Sequence, residues 1–131
     1  GGHSIGIPLA VAGKRSFIVS TATMTIHPVR HSGMVLGVPQ TMRYFEQMQQ
    51  RITGFVSAHS GIAAKRFTEL MMQTGELVMD VGSVLDGKTA VREGLIDELG
   101  SLDAALQYLY RAIEEKAAEK ETAKSRKTQR K

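Results

Sequence analysis

Glycines and prolines cut this chain into short segments whose apolar residues alternate between two periods. That alternation limits the fold more than any other feature. Ser4 to Ala12 is apolar on nearly every side, with Pro8 tolerable in a first helical turn and Gly13 as a stop, so a buried helix is expected. Arg15 to Val19 and Thr23 to His27 are short, β-branched and aromatic, and read as two strands, the second ended by Pro28. Arg30 to Val38, with Gly33 and Gly37, reads as a loop or a glycine-marked strand. From Thr41 to Ala58 the period changes. Met42, Phe45, Met48, Ile52, Phe55 and Val56 recur three or four apart, with Gln and Arg on the other side, as in an amphipathic helix. A second helix is expected over Ile62 to Gln73, then an irregular or extended Glu76 to Asp80. Asp86-Gly87 reads as a turn, Lys88 to Glu93 as a short helix closed by Gly94, and Leu95 to Asp97 as a strand. Ser101 is placed to cap a last helix, Leu102 to Glu115, with Ala105, Leu106, Leu109 and Ile113 on one face. Short strands alternating with helices predict an α/β fold.

Composition excludes several functions. The 131 residues contain no cysteine, which removes disulfide scaffolds, Cys-based zinc sites and thiol nucleophiles. No apolar run reaches the ~20 residues of a membrane span. No charged stretch followed by an apolar one opens the chain as a secretory signal would. The net charge of +4 would suggest a nucleic-acid partner if it were spread over the fold. It is not: residues 120–131 hold six Lys/Arg and one Glu, while the remainder holds eleven basic and twelve acidic residues. The positive charge thus belongs to a tail, expected from residue 114 to be solvated and disordered, with weak contact to anionic membrane surfaces as its one polyanion partner and no nucleic-acid role.

Two features carry chemistry. Gly2-His3-Ser4-Ile5-Gly6 is a G-x-S-x-G pattern running straight into a helix-like segment. A nucleophilic serine needs a sharp turn that lifts its hydroxyl clear, and a helix starting just behind it aims N–H groups at a developing oxyanion. By itself the pattern also describes any serine capping a helix between glycines. The second feature is His27, at a strand end before Pro28, where a ring can be held rigidly enough for general-base work. A half-exposed histidine at a sheet edge gives the same pattern. His3, His31 and His59 lack such a setting, and no His/carboxylate cluster has metal-ligand spacing.

In combination, these residues resemble the Clp protease proteolytic subunit. Gly2-His3-Ser4-Ile5-Gly6 resembles that family's serine motif, and Thr25-Ile26-His27-Pro28 its histidine motif. His59-Ser60-Gly61 resembles its His-Thr-Gly. Ala90 to Asp97 (AVREGLID) is similar to a closing signature shared with signal peptide peptidase A. The resemblance covers about residues 1–110. It implies an α/β fold of the Clp/crotonase type and a serine endopeptidase with Ser4 as nucleophile, His27 as general base and the Ile5 N–H as one oxyanion donor. A link to protein translocation or signal-peptide degradation follows from the same likeness. The third triad member is open between Asp80, Asp86 and neither. Counting back from Gly94 without gaps puts Gly82 at the acid's position, and a two-residue insertion makes it Asp80, the favoured choice.

The family fold begins well before its serine, so the sequence reads as the C-terminal portion of a peptidase, with the strand leading into Ser4 missing. Such a piece is expected to be poorly stable and inactive by itself. No cofactor is implied, and the expected location is the cytoplasm, perhipheral membrane contact aside. The partners implied are peptide or unfolded polypeptide and further copies of the chain, in a ring or stacked homo-oligomer. The resemblance implies that the helix Thr41–Ala58 lies at subunit contacts, with Met42 and Met48 either in an adaptable interface or filling the core. The rival reading is a non-catalytic assembly or translocation partner with a vestigial serine. An α/β-hydrolase esterase fits less well, because its acid lies between serine and histidine in the chain.

Overall fold

The computed structural model describes residues 2–75 and 81–128. Its elements run β1 (Gly2–His3), α1 (Gly6–Val11), β2 (Phe17–Ile18), β3 (Thr23–Ile26), α2 (Val38–Ala58), α3 (Ala64–Met71), β4 (Ser83–Asp86), α4 (Gly87–Arg92), β5 (Glu98–Leu99) and α5 (Leu102–Thr128). The chain divides into a unit ending at Leu99 and a second beginning at Gly100.

Strand order in the first unit does not follow the order of the chain. β2 and β3 do not pair with each other. β3 lies between β1, to which it runs parallel, and β4, to which it runs antiparallel, while β2 pairs in parallel with β5. β1 corrects the expectation of a missing lead strand: Gly2 and His3 sit opposite Met24 and Thr25, so the residues entering Ser4 are held to the sheet. β4 falls partly where a turn was expected. Its four residues alternate between buried and exposed, with Ser83 and Leu85 inward, but two apolar residues between polar ends give too short a pattern to read. Leu95 and Ile96, expected to be strand, are buried in a turn whose amides both donate to the Ala90 carbonyl. The strand β5 follows two residues later.

The core gathers one face from each element. Ile7 and Val11 of α1, Met24 and Ile26 of β3, Val56 of α2, and Phe67, Leu70 and Met71 of α3 are all buried. The α1 segment is therefore one-sided, since Leu9 is exposed. Burying each large apolar side chain contributes about 1.5–3 kcal/mol. Helix α2 starts earlier than its apolar period suggests, because Gly37 adopts φ 70° and Pro39 suits a first helical turn.

Two glycines permit close packing. Gly61 donates its N–H to the Gly94 carbonyl at 2.8 Å, and a Cβ on Gly94 would lie 2.9 Å from the Gly61 carbonyl carbon. Gly94 also has φ 75°, which side chains adopt at a penalty. Two of the sequence motifs thus meet in one backbone contact. Beside it, Arg66 of α3 donates through Nε and Nη2 to the two oxygens of Glu93, at 2.8 and 3.0 Å. A second tie joins the β2 and β5 ends, where Asp97 Oδ2 accepts from the Ser16 N–H at 2.7 Å and from its hydroxyl at 2.8 Å.

Asp86 and Glu93 set an acid limit. The Thr89 amide, donating to Asp86 at the start of α4, holds that carboxyl below its ordinary range, and the Arg66 hydrogen bonds do the same for Glu93. A folded pKa below the unfolded one means that protonation favours the unfolded chain. The stabilisation is complete above the unfolded values near 4 and is lost as pH falls through the folded ones. Melting temperature is therefore expected to be level from about pH 7 to 5 and to drop below about 4. Glu93→Gln should flatten that drop, and an unchanged slope would contradict the assignment.

The second unit is α5 alone. The Ser101 hydroxyl accepts from the Ala104 N–H at 3.4 Å. The helix continues to Thr128, through the residues expected to be disordered. The reason is composition: residues 114–124 are mostly Ala, Glu and Lys, the strongest helix formers, and charge alone was a poor guide to their state.

Candidate active site

The elbow is built by strand, turn and helix in immediate succession. β1 ends at His3, Ser4 turns with φ 54°, and Ile5 caps α1. Among the described residues Ser4 is the one non-glycine with positive φ. Its N–H donates to the Thr25 carbonyl at 3.1 Å and its carbonyl accepts from the Ile7 N–H at 3.1 Å, so both sides of the strained residue are pinned. Such a conformation costs about 1–3 kcal/mol and persists where surroundings over-determine it. The expected consequence is measurable: Ser4→Gly should be more stable than Ser4→Ala by about 1 kcal/mol, since both lose the hydroxyl and only glycine relieves the strain. Equal melting temperatures would contradict the strained geometry.

Ser4 and His27 line the same groove, a space of about 330 Å³ walled by Ile5, Ile7, Ile26, Phe67 and Met71. The parallel register brings this about: His3 pairs with Thr25, so Ser4 lies level with the end of β3, and His27 is the first residue beyond it. The two side chains are not hydrogen-bonded to each other. Among the described residues the Ser4 hydroxyl has no hydrogen-bond partner, and the His27 ring has one, the Pro28 carbonyl, 2.7 Å from Nδ1. A carbonyl only accepts, so Nδ1 carries the proton in this bond, and in the neutral ring Nε2 is then the nitrogen with the lone pair. Ile5 starts the helix, where amides have no intrahelical partner.

Of the acids, Asp80 lies outside the described residues. Asp86 lies away from the site. It pairs with Thr23, at the end of β3 remote from His27, and its carboxylate is occupied by the Thr89 N–H at 2.7 Å. Ser83 pairs with Ile26, so the chain entering β4 passes beside the His27 end of the strand.

The other histidines have local partners. His3 Nδ1 is 2.6 Å from the Thr25 hydroxyl. His59 accepts its place at the α2 end by donating Nδ1–H to the Phe55 carbonyl at 2.8 Å and stacking on that ring. His31 lies against Phe45. Sequence reasoning missed Gln49, assigned to the polar side of α2. It lines the groove and accepts the Val29 N–H at 2.8 Å. A signal existed, since Phe45, Gln49, Ile52 and Val56 follow the four-three-four spacing of one helix face. Met48 likewise turns into the groove, while Met42 is exposed.

The Clp protease family model matches residues 1–102, and the chain belongs to that family. Its α/β fold is of the Clp protease type. The chain is 54% identical over 114 residues to translocation-enhancing protein TepA of Halalkalibacterium halodurans, a match that takes in 87% of this chain. It spans 44% of the length of that relative.

Proposed function

We propose that the protein is a serine endopeptidase in which Ser4 is the nucleophile, His27 the general base and the Ile5 N–H a donor to the oxyanion. What supports the reading above all is the left-handed Ser4, raised between β1 and α1 on the same groove as His27. The positive φ at Ser4 matches the turn a nucleophile needs.

In this mechanism, the His27 and Ser4 side chains close to hydrogen-bond reach when substrate fills the groove. Active-site bonds of this kind are often open without substrate. Ser4 Oγ bonds to the peptide carbonyl carbon as its proton passes to His27 Nε2. The carbonyl electron pair moves onto oxygen, which accepts from the Ile5 N–H. One such donor is worth roughly 10²–10³ in rate. Collapse of this intermediate breaks the C–N bond, and Nε2 returns the proton to the departing amine. Water then releases the acyl group from Ser4 with the same ring as base.

Asp80 is proposed as the acid, on chain order. Its role is electrostatic, because the Pro28 carbonyl already takes the Nδ1 proton. The exposed face of α2, with Met42 and Tyr44, is proposed to meet further copies of the chain. Among the described residues no helix is long and apolar enough to cross a membrane. Weak membrane-surface contact through the basic tail, and a link to translocation of the kind TepA's name gives, belong to the same proposal. Cleavage of an unfolded polypeptide by the full-length protein, blocked by a fluorophosphonate, tests it. Undiminished biological effect after serine replacement would favour the non-catalytic reading instead.

A further inference from the structure

We infer that Gln49 is the positioning residue that sets the tautomer of His27. The inference rests on the proposed His27 base and adds how that base is held. β3 leaves its ladder at Ile26, and Pro28 has no N–H to donate, so the backbone carrying the histidine passes out of the sheet. It is caught again at Val29, whose N–H donates to Gln49 Oε1 at 2.8 Å. The other end of the same amide donates from Nε2 to the sulfur of Met71, itself buried in the core. Gln49 thus fixes the segment to α2 and α3 together.

The consequence falls on Pro28. Its carbonyl lies between the ring it accepts from and the amide that Gln49 grips, so the clamp holds the oxygen at Nδ1. While it holds, the proton sits on Nδ1 and Nε2 is the basic nitrogen. Without it, the segment is free to turn the carbonyl away, and the ring loses both its orientation and its preference between tautomers. A triad assigns this duty to a carboxylate. Here a main-chain carbonyl, steadied by a glutamine one helix away, performs it.

The test compares Gln49→Met, which keeps the volume and loses the acceptor, with Gln49→Glu, which keeps an acceptor for Val29. Two readouts are taken on the full-length protein: the ¹⁵N shifts of the His27 ring and kcat for peptide cleavage. Gln49→Met is expected to move the ring from a pure Nδ1–H pattern to a mixture and to lower kcat about 100-fold, the size of a small misplacement of a catalytic group. Gln49→Glu, which keeps the Val29 bond, should retain the Nδ1–H pattern and lose less of kcat than Gln49→Met. Should Gln49→Met fold badly, Val29→Pro removes the same hydrogen bond from its donor side and should give the same ¹⁵N change. An unchanged ring pattern in Gln49→Met or Val29→Pro would overturn the inference, as would equal losses in the Met and Glu variants. The ring signals need no turnover. If cleavage proves independent of Ser4, the peptidase reading fails while the ¹⁵N shifts still decide the role of Gln49.

Discussion

Ser4→Ala in the full-length protein is expected to abolish peptide cleavage, with kcat falling by about 10⁶, while the melting temperature stays close to that of the wild type. The loss is large because the nucleophile and its base act as a unit, and removing either removes the covalent route. Stability should hold because the Ser4 hydroxyl has no hydrogen-bond partner among the described residues, and alanine keeps the backbone bonds to Thr25 and Ile7. Peptide hydrolysis and thermal denaturation together check this. Retained cleavage would move the nucleophile elsewhere, and a collapsed melting temperature would make Ser4 a structural residue.

The largest effect on stability is expected at Gly87. A Cβ there would stand 2.2 Å from the Val19 carbonyl oxygen and 3.0 Å from its carbon. Both are main chain, in the connection between β2 and β3, and cannot swing aside as a side-chain tip would. Accommodating Gly87→Ala requires α4 to move off that connection, and α4 carries buried Ala90. Overpacking of this kind costs about 3 kcal/mol or more. For a unit of this size that is a large share of a typical stability of 5–15 kcal/mol. A drop in melting temperature of about 10 °C or more is the expected result. A change within a degree or two would mean that the two backbones are not in contact.

What could be read from the sequence followed the strength of local signals. The serine elbow was legible because its parts are adjacent: glycines, a serine and an apolar helix in one stretch. The strand end before His27 was legible from Pro28, which has no N–H to give to a ladder. The fold class came from segment lengths alone. Other features depended on partners distant in the chain. β1 is two residues long and exists as a strand only because Met24 and Thr25 lie beside it. β4 has polar ends and was hidden by the Asp86-Gly87 pair on which it closes. The helical state of residues 114–128 was obscured by charge, which says little about a segment rich in Ala, Glu and Lys. Gln49 was missed for a different reason. Its position on the apolar face was visible in the spacing, but a polar residue there makes sense only once the Val29 amide is known to need an acceptor. The left-handed turn at Ser4 is likewise invisible in composition, being imposed by hydrogen bonds on either side of it.

The most direct measurement is the rate at which a fluorophosphonate modifies the full-length protein, with the adduct located by peptide mass spectrometry, in the wild type and in His27→Gln. The account predicts an adduct on Ser4, formed at least about 10³ times more slowly once the imidazole is gone. Modification of a different serine, or of Ser4 at the same rate in both proteins, would contradict it.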